Sequence, residues 1–97
     1  MFVVTGKYIL KPGQREDFLK AIYDQKIIDE FRGEEGNISY DYFFPYEDPD
    51  GVFIVERWKD ADAWEEHKIA PQTARLQDIK SEYMTGFEPC FQGEIKS

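Results

Sequence analysis

Two segments near the middle of the chain decide the fold: Ile38-Ser-Tyr-Asp-Tyr-Phe-Phe44 and Val52-Phe-Ile-Val-Glu-Arg-Trp58. Both are rich in aromatic and β-branched residues, which is typical of strands. Residues 45–51 between them contain two Pro, two Asp and one Gly and favour a turn. We therefore predict a hairpin. One strand face would carry Ile38, Tyr40, Tyr42 and Phe44, and one face of the other strand would carry Ile54, Glu56 and Trp58.

The residues before the hairpin predict one strand and one helix. The strand is expected over residues 2–10, and Lys11-Pro-Gly13, directly after it, would end it. From Gln14 to about Arg32 the apolar residues recur at helical spacing against a charged opposite face. Gly33 is expected to end this helix as its C′ residue.

The residues after the hairpin predict two further helices and a strand. Asp60 is a good N-cap for a short helix that carries His67, because its carboxylate can accept hydrogen bonds from the first-turn amides. A second helix should begin at Pro71 and be closed by Gly86. The last strand is expected over residues 88–95, and the proline within it favours a sheet edge or a strand start.

With the two helices after the hairpin counted as one helical segment, the resulting order, β-α-β-β-α-β, predicts an α+β fold with a ferredoxin-like, four-stranded antiparallel sheet. A chain of 97 residues is expected to form a single domain over residues 1–97. With both helical segments on one face, the other face of the sheet would be apolar and uncovered. Pairing of two such faces would bury them, so we expect a homodimer.

Composition excludes several classes of function. Twenty acidic and twelve basic residues give a net charge of −8, which repels nucleic acid and anionic membrane surfaces. No apolar run approaches the ~20 residues that a membrane span needs. Cys90 is the only cysteine, so an intrachain disulfide is impossible and a reducing cytoplasm is the expected location.

His67, the only histidine, is the natural general acid or base, since its ordinary pKa lies near neutrality. The alternative is a structural histidine packed beside a tryptophan. Glu56 shares a strand face with Trp58 and would be costly to bury alone, so we expect it to be paired, with the second copy of a dimer as one source of the partner. One His and one Cys do not make a zinc site, and no metal is expected.

Other residues are candidates for substrate binding. Tyr8, Tyr40 and Trp58 could stack on a flat ring, and the tyrosines could donate hydrogen bonds to it. Trp64, on the short helix, could form a further wall. The amide of Asn37 could orient a substrate carbonyl or hydroxyl group. The alternatives are core packing for the aromatic residues and a strand-start cap for Asn37.

The pattern of Glu35-Gly-Asn37, Tyr40-Asp41, Val55-Glu-Arg-Trp58 and then His67 resembles the antibiotic biosynthesis monooxygenase family over about residues 2–95. The resemblance implies a dimeric α+β barrel and a pocket that His67 faces. The family that the chain resembles includes three enzymatic branches: cofactor-free quinol and polyketide monooxygenases, haem-degrading oxygenases, and an isomerase that processes a bacterial autoinducer.

The residues at branch-specific positions narrow this choice. The three positions that match the haem degraders' functional residues hold Gly6, His67 and Gln77, which do not fit that activity. The isomerase branch often has a second histidine where this chain has Gln72.

The hypothesis that follows is a cofactor-independent monooxygenase acting on a small aromatic or quinol-type substrate. His67 would be its base, Asn37 and Tyr40 would orient oxygen atoms, and Trp58 and Trp64 would form walls. Two alternatives stay open: an acid–base isomerase of a small dicarbonyl or phosphosugar-like signal molecule, and a dimeric protein that binds a ligand without turnover.

Overall fold

The computed structural model describes residues 1–96 and has the ferredoxin-like α+β fold expected from the sequence. Its elements are β1 (Phe2–Leu10), α1 (Arg15–Asp24), α2 (Ile27–Arg32), β2 (Asn37–Phe43), β3 (Gly51–Trp58), α3 (Ala61–Lys68), α4 (Pro71–Tyr83) and β4 (Met84–Glu94). The strands form one antiparallel sheet in the order β2-β3-β1-β4. Within residues 1–96 there is no membrane-spanning helix.

The predicted hairpin is confirmed as β2 and β3, in which Tyr40 pairs with Glu56 and Tyr42 with Ile54. The predicted face of β2 needs correction at both ends. A register shift near the start of β2 leaves Ile38 outside the regular pairing and 55% exposed. Phe44 lies beyond the strand and is also exposed.

The single helix predicted from Gln14 to about Arg32 is wrong, because the chain breaks into α1 and α2 at Lys26. This residue has a left-handed backbone with φ of 57°. The apolar positions explain the break. After Ile22 a continuous helix would turn Gln25 and Lys26 toward the core, whereas the apolar residues are Ile27 and Ile28. The break turns the next helix so that its apolar residues face the core, and Ile27 and Ile28 are both buried.

Two glycines differ from expectation. Gly33 caps α2 with φ of −86°, so it is not the left-handed C′ residue that was predicted. A left-handed glycine follows three residues later at Gly36, with φ of 84°, in the turn that leads into β2. Gly86 does not close α4, because that helix ends at Tyr83 and β4 begins at once at Met84.

The start of α3 and the edge position of β4 match the sequence. The Asp60 side chain accepts a hydrogen bond from the Ala63 amide at 2.9 Å, as an N-cap does. Pro89 lies on β4, an edge strand, beside a register shift where Thr5 pairs with Phe91 and the next residue of β1 pairs with Pro89.

The core lies between the sheet and the helices. Its largest fully buried side chains include Phe18 and Phe31 from the helices and Tyr40, Ile54 and Trp58 from the sheet. This aromatic layer is the surface on which α3 places His67.

Candidate active site

His67 lies in the last turn of α3 and is buried against the sheet. Its ring stands edge-on to Phe31, with ring centroids 4.6 Å apart, and lies tilted over Trp58 at 4.7 Å. Tyr40 is the next aromatic neighbour, at 5.8 Å. Three rings therefore hold the imidazole in one orientation.

Glu34 determines which nitrogen of this imidazole carries the hydrogen. The His67 Nδ1 atom is 3.1 and 3.2 Å from the two Glu34 carboxylate oxygens. Gln72 donates a second hydrogen bond to Glu34, from Nε2 to Oε2 at 2.8 Å. An ionised carboxylate only accepts, so Nδ1 carries the hydrogen. In neutral His67, Nε2 is then left as the basic nitrogen.

Glu56 lies on the opposite side of the ring. The Glu56 Oε1 atom is 3.7 Å from His67 Nε2, and it accepts a hydrogen bond from the indole N–H of Trp58 at 3.2 Å. Glu56 and Trp58 share one face of β3 because side chains alternate along a strand. The imidazole thus lies between two carboxyl groups, one at each ring nitrogen.

Burial moves the acid–base equilibria of these groups in opposite directions. It raises the pKa of Glu56 from 4.5 to about 7, with the Trp58 hydrogen bond and the Lys80 charge opposing the rise and the Glu34 charge adding to it. Burial also lowers the pKa of His67 below its usual 6.5, and the hydrogen bond to Glu34 opposes that change. Near neutral pH the site therefore holds a neutral imidazole beside a carboxyl group that is partly protonated.

His67 and Glu56 open on a cavity of about 210 Å³ between the sheet and α4. Tyr8, Tyr40 and Trp64 are among its lining residues. Burial raises the pKa of Tyr40 well above 10.0, so its hydroxyl group keeps its proton and can donate a hydrogen bond. The cavity combines aromatic walls with a few polar groups, which is typical of small-molecule sites.

Gly6 makes room for one wall of the cavity. A Cβ atom at this position would collide with the ring of Phe87, which lines the cavity and packs against Tyr8 with centroids 5.8 Å apart. A larger residue at position 6 would therefore displace Phe87.

Two lysines border the cavity although the chain is acidic as a whole. The Lys80 Nζ atom lies 4.5 Å from the centre of the Tyr8 ring, and Lys68 Nζ lies 4.1 Å from that of Trp64. A shallower groove of about 400 Å³ shares Gln77, Lys80 and Phe87 with the cavity and extends it along α4. Lys80 thus stands where the cavity meets this groove.

Four of the residues predicted from the sequence surround this cavity: Tyr8, Tyr40, Trp64 and His67. Asn37 and Trp58 do not line it. The Asn37 amide donates a hydrogen bond to the Ser39 carbonyl at 3.2 Å, and Trp58 is fully buried beneath His67. The structure therefore places neither residue at the cavity wall, where both were expected.

Sequence reasoning missed the two carboxyl groups as site residues. Glu56 left a signal, because it lies between two apolar residues, Ile54 and Trp58, on the buried face of β3. The partners that the structure gives it, Trp58 and His67, belong to the same chain. Glu34 left no signal, since it meets His67 across 33 positions of sequence.

The fold and the site together define a ferredoxin-like α+β protein with a histidine–carboxyl pair at a small aromatic cavity. The chain belongs to the antibiotic biosynthesis monooxygenase family, whose model matches residues 1–79. A Bacillus subtilis (strain 168) protein named "Putative monooxygenase YcnE" is 34% identical over 77 residues, which are 79% of this chain and 76% of that protein.

Solved structures share the fold at low sequence identity. A protein from Nitrosomonas europaea, described as a putative antibiotic biosynthesis monooxygenase, superimposes with a TM-score of 0.85 at 20% identity, covering 99% of this chain and 100% of its own. PA3566 from Pseudomonas aeruginosa gives a TM-score of 0.82 at 17% identity, covering 98% of this chain and 94% of its own. The family and the name of the Bacillus subtilis relative support a monooxygenase-like role.

Proposed function

We propose that the protein is a cofactor-independent monooxygenase that oxidises a small aromatic or quinol-type substrate, with His67 as the base. The observation that carries the proposal is the Glu34–His67 pair, which leaves the basic Nε2 of a buried imidazole beside an aromatic cavity. A base is most effective when its pKa lies near the working pH and its orientation is fixed.

The cavity suits a substrate with one ring. A cavity of about 150 Å³ in another protein holds benzene, so the 210 Å³ here leaves room for a ring with hydroxyl groups. Tyr40 would donate a hydrogen bond to a ring oxygen, and Tyr8 and Trp64 would pack against the ring. Asn37 and Trp58 would act indirectly, the first at the start of β2 and the second beneath His67.

The chemistry begins when His67 removes a proton from a ring hydroxyl group. The resulting anion is electron-rich enough to reduce O₂ directly. For a hydroquinone, the overall reaction with O₂ gives a hydroxyquinone and water, so one oxygen atom enters the product and the other leaves as water. The aromatic walls would exclude water from the oxygen-bearing intermediate.

We also propose that two copies, each a single domain over residues 1–97, pair through the sheet face opposite the helices, and that they work in the cytoplasm. Phe53 pairs with Phe43 in the sheet and with Lys7, so all three side chains share that face. Phe91 belongs to the same face, opposite Thr5. Phe43 is 52% and Phe91 45% exposed in the single chain, which supports burial against a second copy.

The experiment is O₂ uptake with a panel of hydroquinones and polyphenols, corrected for autoxidation. The variants are His67→Asn, whose amide can still donate to Glu34 but has no basic nitrogen, and Glu66→Gln, an exposed control on the same helix. We expect uptake by the wild type and the control, and a loss of roughly 10²-fold or more in His67→Asn.

The alternatives give different results in the same assay. An isomerase would incorporate solvent deuterium into a hydroxyketone or dicarbonyl substrate without O₂ uptake. A binding protein would hold an aromatic ligand with neither O₂ uptake nor exchange, and its affinity would not change in His67→Asn. Either pattern would contradict the proposed oxygenase.

A further inference from the structure

The proposed reaction needs a proton donor as well as a base. A hydroxyl proton leaves first, and the ring carbon then bonds to O₂ and forms a peroxide anion. That peroxide takes up a proton; afterwards the ring C–H proton leaves, the O–O bond breaks, and the departing hydroxide takes up a second proton. Two protons leave the substrate and two reach oxygen atoms derived from O₂, so the reaction balances without another reactant.

The carboxyl group of Glu56 has one oxygen engaged by the protein and one that is free to react. Oε1 accepts the hydrogen bond from Trp58. Oε2 has no hydrogen-bond partner in residues 1–96, yet it is not fully enclosed, because the only enclosed side-chain polar atom without a partner in this part of the chain is the Tyr42 hydroxyl. Glu56 lines the cavity that a substrate would occupy, and Oε2 is the oxygen of its carboxyl group that the protein leaves free to react there.

We propose that Glu56 is the second acid–base residue of this site and that its carboxylic acid protonates the peroxide oxygen that departs as water. The assignment rests on the proposed oxygenase function and extends it. His67 and Glu56 then divide the work: the imidazole takes protons from the substrate, and the carboxylic acid delivers protons to oxygen.

The charges around Glu56 are consistent with this division. The groups that act on it are His67 from α3, Lys80 from α4, Glu34, and the Trp58 N–H beside it on β3. Burial outweighs the Lys80 charge and the Trp58 hydrogen bond, so that a pKa of about 7 leaves much of Glu56 protonated at neutral pH. A surface glutamate would be ionised there and unable to donate.

The same geometry returns the site to its starting state. After each pair of transfers, His67 carries an extra proton and Glu56 lacks one. The 3.7 Å between His67 Nε2 and Glu56 Oε1 requires only a small movement for the proton to pass from imidazolium to carboxylate. A half-turn of the carboxyl group then exchanges its two oxygens, so that the other oxygen accepts the Trp58 hydrogen bond and the protonated oxygen is again the one free to react. Neither group needs to exchange its proton with bulk water during a turnover.

The test compares Glu56→Gln with Glu34→Gln, the same chemical change on either side of one imidazole. For each protein we would measure O₂ consumed, hydroxyquinone formed and H₂O₂ released with a hydroquinone substrate. Glu34 is a positioning residue, so Glu34→Gln should slow O₂ uptake and leave one hydroxyquinone formed per O₂. Glu56→Gln should divert the O₂ that it still consumes to H₂O₂ and the unsubstituted quinone.

We expect the ratio of hydroxyquinone to O₂ to fall by roughly tenfold or more in Glu56→Gln, since general acids contribute about 10²–10⁴-fold. Glu56→Asp, which keeps a carboxyl group, should recover part of the ratio. Gln can still accept the Trp58 hydrogen bond, and a thermal melt checks that the variant folds.

An unchanged ratio in Glu56→Gln, with or without slower uptake, would overturn the assignment and leave the oxygenase proposal intact. Absence of O₂ uptake above the blank in the wild type would overturn the oxygenase proposal and, with it, the role of Glu56.

Discussion

Replacing Glu56 with Gln should make folding stability less sensitive to pH and stabilise the protein at alkaline pH. The folded state raises the pKa of this carboxyl group from 4.5 to about 7. Below pH 4.5 the group is protonated in both folded and unfolded states and has no pH-dependent effect. As the pH rises through the folded pKa, ionisation favours the unfolded state, and the stability present at low pH is lost.

The magnitude follows from the size of this change. One pKa unit corresponds to about 1.4 kcal/mol, so a rise from 4.5 to about 7 corresponds to about 3 kcal/mol. Gln keeps the shape and the hydrogen bond from Trp58 but does not ionise. The stability of Glu56→Gln relative to the wild type should therefore increase by about 3 kcal/mol between about pH 4 and pH 8.

The assay is urea unfolding of both proteins across this pH range at one fixed protein concentration, because association would also change the stability. With an m-value of about 1–3 kcal/mol/M, the difference between the two midpoints should change by about 1–3 M. Other groups titrate in both proteins, so the difference isolates Glu56. A difference that stays constant from pH 4 to pH 8 would refute the reasoning, because it would mean that Glu56 has an ordinary pKa.

Three further predictions follow from neighbouring features. Lys80→Met should raise the pKa of Glu56 further, since the Lys80 charge lowers it, and a ¹³C NMR titration of the Glu56 carboxyl group that shows no change or a fall would contradict this. Gly36→Ala should destabilise the protein more than Gly13→Ala, by about 1–3 kcal/mol in chemical unfolding. Both glycines have positive φ, but a Cβ atom at Gly36 would lie 2.6 Å from the Ala63 Cβ, whereas a Cβ atom at Gly13 would have no other atom within 4 Å. Equal losses of stability in the two variants would argue against the contact with Ala63. Sedimentation at micromolar concentration should give about twice the 11.5 kDa chain mass, and a species of the chain mass alone would rule out the proposed homodimer.

The sequence predicts the sheet better than it predicts the helices. Alternation along β2 and β3 is a local pattern, so the hairpin could be predicted from these residues alone. The helix break at Lys26 depends on how Ile27 and Ile28 fit the core, and a left-handed lysine has no local sequence signal. The start of β4 at Met84 depends similarly on its pairing with Leu10 across the sheet.

The candidate site shows the same division. His67 could be singled out by its chemistry and by its place on a helix after Asp60. Its two carboxyl neighbours depend on tertiary contacts. Glu34 comes from the turn before β2, and Glu56 comes from the buried face of β3. The histidine could be predicted from the sequence, and the strand pattern indicated that Glu56 is buried, but the contacts of Glu34 and Glu56 with the histidine could not be predicted.

The central claim is that the protein is a cofactor-independent monooxygenase with His67 as its base. The most direct test is turnover of a hydroquinone under ¹⁸O₂ in a buffer that contains a metal chelator, with the products of the wild type and of His67→Asn compared by mass spectrometry. Our account predicts one ¹⁸O atom in each hydroxyquinone formed by the wild type and no enzyme-dependent incorporation in His67→Asn. A wild-type product without ¹⁸O, or equal incorporation by both proteins, would contradict it.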